Sequence, residues 1–242
     1  MTESVTGQDL RAMLDTVNAG YEDEPTEGLP SAVLEGLRQL VPCDSVSFFE
    51  LDPGHRRCGG NGCIHDPGLT PAFWLHYWGC PPCSYPERTG DFTSVMKTSD
   101  YYSQRQWHNS PMYAEYLRYF SVGHELIVCL PALPGRSLRL LLRREHGDFC
   151  ERDRLLLALL RPHLDSVYRD SQRRRAGVPN LTSRQWEVLR LVAAGHSNAD
   201  IGCQLCLSEG TVRKHLENIF ERLHVSTRTA AVARAYPRRT EA

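Results

Sequence analysis

The 242-residue sequence is nearly without lysine: Lys97 and Lys214 are the only two, so arginine supplies almost all of its 28 basic side chains. A phosphorylated receiver domain needs a lysine at a strand end. Lys97 is the only one in the first 170 residues and follows no convincing strand, which argues against aspartyl-phosphate signalling of that kind. No stretch approaches the roughly 18 apolar residues of a membrane span. The opening MTESVTGQDLRAMLD is acidic and lacks the basic start and apolar run of a secretory signal, so a cytoplasmic protein is expected. The chain has no H-E-x-x-H, no G-x-S-x-G and no G-x-x-x-x-G-K-[ST]. His124-Glu125 and Glu145-His146 stand alone. Cys and His lie close together in GCIHDPG and HYWGCPPC, but no carboxylate is spaced to orient a thiol nucleophile, so a thiol-dependent enzyme is the weakest reading and no enzyme is expected. Internal repeats and low-complexity tracts are also missing. The nine cysteines are an odd number, against a secreted disulfide framework and for free thiols or a metal in a reducing compartment.

What is present is uneven. Residues 1–169 hold 16 Lys and Arg against 22 Asp and Glu, whereas residues 170–242 hold 12 against 7. An acidic body with a basic tail suggests that the tail meets a polyanion. The polar stretch RDSQRRRAGVPN, residues 169–180, interrupts two helical patterns and reads as a linker between a domain at 1–168 and another at 181–242. Its triplet Arg173-Arg174-Arg175 suits either DNA phosphates or solvent.

In the tail, Thr182 and Gln185 have the spacing of a capping box, and the helix they open should stop at Gly195. Ser197 with Asp200 opens a second short helix through Leu205, Ser208 a third, and Ser226 a fourth that ends before Pro237. In the third, Val212, Leu216, Ile219 and Leu223 are four, three and four apart and form one apolar stripe. Lys214 and Glu221 then point away from it, with Arg213, Glu217 and Asn218 on its flanks. A short helix, the turn Cys206-Leu207-Ser208 and a longer helix with a polar outer face make a helix-turn-helix arrangement. Arginine and lysine are the commonest side chains reading guanine in the major groove.

The segment LTSRQWEVLRLVAAGHSNADIGCQLCLSEGTVRKHLENIFERLHVSTRTAAVARA, Leu181–Ala235, resembles the C-terminal DNA-binding domain of the LuxR family of bacterial transcription regulators. It follows L-T-x-R-[EQ]-x-x-V-L, G-x-S-N-x-x-I, L-x-[IVL]-S-x-x-T-V-x-x-H and L-x-V-x-x-R-x-x-A. The resemblance implies that Arg213, Lys214 and Glu217 face bases, with Asn218 beside them. It places Arg184, Ser208 and Thr211 near backbone phosphates, and gives the last helix, Thr227–Ala235, a two-fold dimer contact. His215 matches the family histidine as a packing residue. Double-stranded DNA, a second copy of the chain (through that helix and the sensor domain) and RNA polymerase are the implied partners. Two departures stand out: Gly202 replaces the usual alanine, at an expected cost of about 1 kcal/mol, and Glu217 is acidic where many members are polar or basic.

In the first 168 residues, Leu10–Val17, Ala32–Val41 and Asp153–Tyr168 read as helices, and Ser45–Leu51, Glu125–Leu130 and Ser137–Arg143 as strands. Helices flanking a mainly antiparallel sheet make an α+β sensor of the GAF or PAS kind. SVSFFELD and the later HELIVCLPALPGRSLRLLLRREHGDFCERDRLLLALLRPHL resemble GAF-like sensor domains found on some LuxR-type regulators. Trp74, Tyr77, Trp78, Trp107 and Tyr113 suit either an apolar ligand pocket or plain core. Trp78, Tyr85 and Asp91 echo, with different spacing, the pattern of acyl-homoserine-lactone domains. Cys58, Cys63, Cys80 and Cys83 form C-x4-C-x16-C-x2-C, a near match to a zinc or iron–sulfur ligand set, or a redox sensor. Cys203 and Cys206 lack a matching pair and read as structural. The sequence thus points to a sequence-specific DNA-binding regulator with a sensor for a small ligand or partner.

Overall fold

A computed structural model describes residues 5–60, 70–132, 135–177 and 181–236. The chain divides into two compact units, Met1–Ser171 and Gln172–Ala242. Among the described residues no helix is long and apolar enough to cross a membrane.

The first unit is built on a five-stranded antiparallel sheet of β1 (Ser45–Asp52), β2 (Arg57–Gly59), β3 (Val95–Lys97), β4 (His124–Leu130) and β5 (Ser137–Arg144), in the order β2-β1-β5-β4-β3. Because successive side chains on a strand point to opposite faces, the sequence splits cleanly. Phe48, Leu126, Val128, Leu130, Leu138, Leu140 and Leu142 point to one face, where they meet α1 (Gly7–Glu22), α2 (Ser31–Leu40) and α7 (Glu151–Arg175) through Met13, Val33, Leu37, Leu156, Leu160 and Leu164. Each of these fully buried aliphatic side chains contributes about 1.5–3 kcal/mol.

The other face carries Phe49, Leu51, Glu125, Ile127, Arg139, Leu141 and Arg143. It is covered by the short helices α3 (Thr70–His76), α4 (Pro81–Thr89), α5 (Gln104–His108) and α6 (Pro111–Glu115), rich in aromatic residues. The expected α+β class with an antiparallel sheet is what the structure has. Sequence reasoning missed β2 and β3, each only three residues long, and left the segment of α3 to α6 without helices.

Helix α7 runs on to Arg175, through the first part of the expected linker. From Arg169 to Ala176 no glycine or proline interrupts it before Gly177, whose φ is +65°, and three arginines suit the negative end of the helix.

The second unit is all helical: α8 (Ser183–Ala193), α9 (Asn198–Leu205), α10 (Glu209–Leu223) and α11 (Arg228–Ala235). The capping boxes at Thr182 and Ser197 are both formed, Ser208 caps α10, and Gly195 closes α8 with a φ of +89°. The fourth cap is Thr227 rather than Ser226, because it is the Thr227 side chain that accepts the Ala230 N–H. Val188, Leu189, Ile201, Val212, Leu216, Ile219, Leu223 and Ala231 make the core.

Gly202 corrects the expectation drawn from its departure. A methyl group there would come within 2.7 Å of the Leu207 backbone carbonyl, while the Leu207 N–H donates back to the Gly202 carbonyl at 2.8 Å. Glycine lets the α9–α10 turn close tightly. Gly202→Ala should therefore lower the melting temperature of the protein's C-terminal unit by several degrees rather than raise it; a thermal melt followed by helical circular dichroism decides the sign.

Candidate DNA-binding face and ligand cavity

The apolar stripe of α10 is buried as its spacing requires, so the opposite side of the helix faces outward. Arg213 and Lys214 have side chains 67% and 71% exposed, and Glu217 is exposed beside them. Neither cation is tightly held: Arg213 lies 3.9 Å from Glu209 and Lys214 lies 3.6 Å from Glu217. Exposed pairs of this length contribute little, so both heads are free to reach other acceptors. Glu217 lowers the local positive potential. Asn218 is half-buried on the flank, as is His215.

The expected phosphate group is divided. Ser208 Oγ accepts the Thr211 N–H at 3.1 Å and shares a 2.8 Å hydrogen bond with its hydroxyl, so both are engaged in opening α10. Arg184 donates to Glu187 and to the Leu205 carbonyl, each at 2.6 Å, bracing the end of α9 against α8. Arg228 does the same at the other end, donating to Asn198 Oδ1 at 2.7 Å and to the His196 carbonyl at 2.6 Å. These two arginines hold α8, α9 and α11 around the outward helix. Arg173, from the basic triplet, stacks on Trp186 at 3.6 Å from the ring centre, a cation–π contact.

In the first unit a cavity of about 60 Å³ lies between the sheet, α3, α4 and the residues just after α6, several times the ~10–15 Å³ that a single water needs. Phe49, Phe73, Trp74 and Tyr116 form aromatic walls, and Leu51, Ile127 and Leu141 add aliphatic ones. Glu125, Arg139 and Arg143 supply charge. Arg143 Nε donates to Glu125 Oε1 at 2.9 Å, both side chains buried. Two buried donors on residues that line this cavity, Arg143 Nη1 and Trp74 Nε1, have no partner among the described residues. Leaving buried donors unmet costs about 1–3 kcal/mol each, so an oxygen acceptor within their reach would be favoured.

Arg139 anchors the rim. Its guanidinium donates to both Glu87 oxygens at 2.6 and 2.7 Å, to the Tyr77 hydroxyl at 2.5 Å and to the Cys83 carbonyl. Burial raises the Glu87 carboxyl, but the Arg139 charge and hydrogen bonds outweigh it and hold the group below its ordinary range. Burial also pushes the Tyr77 hydroxyl far above its ordinary value, so it remains neutral.

Of the five aromatic residues expected around a pocket, only Trp74 lines this cavity. Tyr77 is fully buried on Arg139. Trp107 is core, its Nε1 donating to the Val122 carbonyl at 3.3 Å, with Tyr113 packed against it. Trp78 falls beyond the end of α3 and is 53% exposed. The acyl-homoserine-lactone pattern does not converge on the cavity either: Tyr85 donates to Asp91, and Asp91 accepts from Thr93 and Ser94 in a local turn. Hydrogen bonds from Ser94 and Thr93 hold the Asp91 carboxyl well below its ordinary range.

The metal set needs correction. Cys80 and Cys83 are joined in a disulfide, and disulfide sulfurs offer no thiolate to zinc or an iron–sulfur cluster. Cys58 is half-buried and Cys63 lies outside the described residues. Among the described residues no cluster of three or more potential ligands occurs. Sequence reasoning missed Arg139, Arg143, Glu87 and Glu125. The available signal was the Arg-x-x-x-Arg spacing on one strand face, which alternation alone assigns to solvent.

Residues 179–235 match the model of the bacterial regulatory proteins of the luxR family. Over 52 residues the chain is 50% identical to YhjB of Escherichia coli (strain K12), which carries the description of an HTH-type transcriptional regulator; the match spans 22% of this chain and 26% of that protein. Over 79 residues it is 33% identical to the HTH-type transcriptional regulator MalT of Yersinia pestis (strain Pestoides F), across 30% of this chain and 9% of MalT. The chain thus spans about a quarter or less of the length of these relatives. Among solved structures it is similar to the VqsR LBD domain from Pseudomonas aeruginosa, with a TM-score of 0.47, 16% identity and coverage of 68% of this chain and 94% of that one. SdiA in complex with octanoyl-rac-glycerol gives a TM-score of 0.42 at 16% identity, with 96% of each chain covered. The matched family and relatives are regulators of transcription rather than enzymes. The segment that matches the luxR family takes in α8 to α11, including the helix-turn-helix of α9 and α10.

Proposed function

We propose that the protein is a sequence-specific transcription regulator that reads double-stranded DNA with α10 and responds to a small ligand held in the cavity of its first unit. The observation that carries the first part is the outward Arg213–Lys214 face on a helix fixed by its buried stripe, within a segment that matches the luxR family. The second part rests on the two unpartnered donors around an aromatic-walled cavity. In this reading the first unit is a GAF-like sensor that works in the cytoplasm, where the chromosome is. α11 pairs two copies so that two α10 helices meet successive major-groove segments, and RNA polymerase is the downstream partner.

Selection from random duplexes with the full chain should recover one preferred motif with two-fold character. Affinity for it should fall steeply with salt, since each neutralised phosphate contributes a log–log slope of about −0.9. Failure to enrich any motif overturns the DNA reading. For the ligand, native mass spectrometry should find a small bound molecule, or uptake of one from a compound library, that Arg143→Met abolishes. No uptake by the folded wild-type protein overturns the ligand reading and leaves the DNA reading intact.

A further inference from the structure

The chain contains two Cys-x-x-Cys pairs, and they sit at opposite ends of their helices. Cys80 is the N-cap of α4 and Cys83 its third residue, and the two are bonded, with Cα atoms 5.2 Å apart. Cys203 lies in the last turn of α9 and Cys206 is its C-cap; both are exposed and free. A helix N-terminus favours a thiolate, and the carbonyl end repels negative charge. Spacing is equal in the two pairs, so position on the helix distinguishes them. Burial pushes the Cys43 and Cys129 thiols up to about 11, which makes them poor nucleophiles.

Helix α4 is held by Arg139 through Glu87 and the Cys83 carbonyl, and it lacks one of its own hydrogen bonds at Pro86. Cys80 and Cys83 are only 2% and 8% exposed, but each borders a cavity: Cys83 the one described above, and Cys80 a second of about 50 Å³ beside His76, Tyr102 and Met112. A small reagent therefore reaches the two sulfurs from these cavities on local opening.

We infer that Cys80-Pro-Pro-Cys83 is a reversible thiol–disulfide exchange site whose substrate is a low-molecular-weight disulfide. The reduced Cys80 thiolate attacks one sulfur of the small disulfide, forming a mixed disulfide and expelling one small thiolate. Cys83 then loses its proton, attacks the Cys80 sulfur and expels the second small thiolate. Two electrons pass from the protein dithiol to the small disulfide, and one disulfide replaces another. The site needs no assumption about DNA or about the cavity's ligand.

The test uses the full-length protein, equilibrated in mixtures of reduced and oxidised glutathione, quenched with acid, unfolded, alkylated and mapped by mass. Cys80 and Cys83 should lose their thiols together as the mixture becomes more oxidising and regain them on reduction, while Cys203 and Cys206 stay unpaired with each other. Cys83→Ser should trap glutathione on Cys80, and the wild-type mapping decides the matter even if that variant does not fold. A pair that stays reduced in oxidised glutathione alone, one that resists excess dithiothreitol without denaturant, or oxidation that joins Cys203 to Cys206 instead would overturn the proposal.

Discussion

Arg139→Met is expected to lower the stability of the first unit by about 3–5 kcal/mol, because it strands a carboxylate that the fold has taken out of water. Arg139 is almost wholly buried and serves both oxygens of Glu87, the Tyr77 hydroxyl and the Cys83 carbonyl at once. The loss should appear as a fall of roughly 10 °C or more in melting temperature. Removing both charges with Arg139→Met and Glu87→Leu should restore most of it, since a buried pair replaced whole is often neutral.

The pH dependence gives a second check on the same pair. In the wild type the Glu87 carboxyl lies below its ordinary value of 4.5. Its contribution is complete above that value and disappears as the pH falls through the lower folded-state value. In Arg139→Met burial is the largest remaining influence, and it raises the carboxyl against the smaller hydrogen bonds of Ser137 and the backbone. Stability should then increase as the pH drops from neutral and the stranded group takes up a proton. Urea melts at a series of pH values should show opposite slopes for the two proteins; parallel slopes would mean that Arg139 does not govern Glu87.

Arg213→Ala and Lys214→Ala are each expected to weaken binding to the selected duplex by about 1–3 kcal/mol, or roughly 5- to 150-fold, and to relax preference at one base position. Both side chains are mostly exposed and touch only Glu209 and Glu217 at long range, so circular dichroism should not change. Equal weakening on every sequence, with a shallower salt slope, would instead make them phosphate contacts. Glu217→Gln separates the roles further: removing its repulsion should strengthen binding to unrelated duplexes more than to the selected one.

The second unit was largely legible from sequence because its signals are local. Hydroxyl caps with a partner three residues on, and apolar residues four, three and four apart, specify helix ends and faces without reference to distant chain. Where that logic slipped, neighbouring options were nearly equal, as with Ser226 and Thr227. The first unit was legible where strands carried aliphatic alternation, and illegible where a second layer of helices covered the strands' other face. Nothing local says that Arg139 and Arg143 point into protein, because their partners Glu87 and Glu125 come from other elements. For the same reason an aromatic-rich stretch could not be divided into lining and core: Trp74 and Trp78 differ only in which side of the end of α3 they fall.

The two faces of β5 have an evolutionary consequence. Leu138, Leu140 and Leu142 touch other hydrocarbons, and exchange among leucine, isoleucine, valine and methionine costs little there. Arg139 and Arg143 between them are held by donors and acceptors in fixed directions, and lysine cannot reproduce a planar fork. A saturation library across this strand should therefore survive in a beat of two, permissive at even positions and closed at 139 and 143, so this lineage can drift along one side of its sheet while the other stays locked.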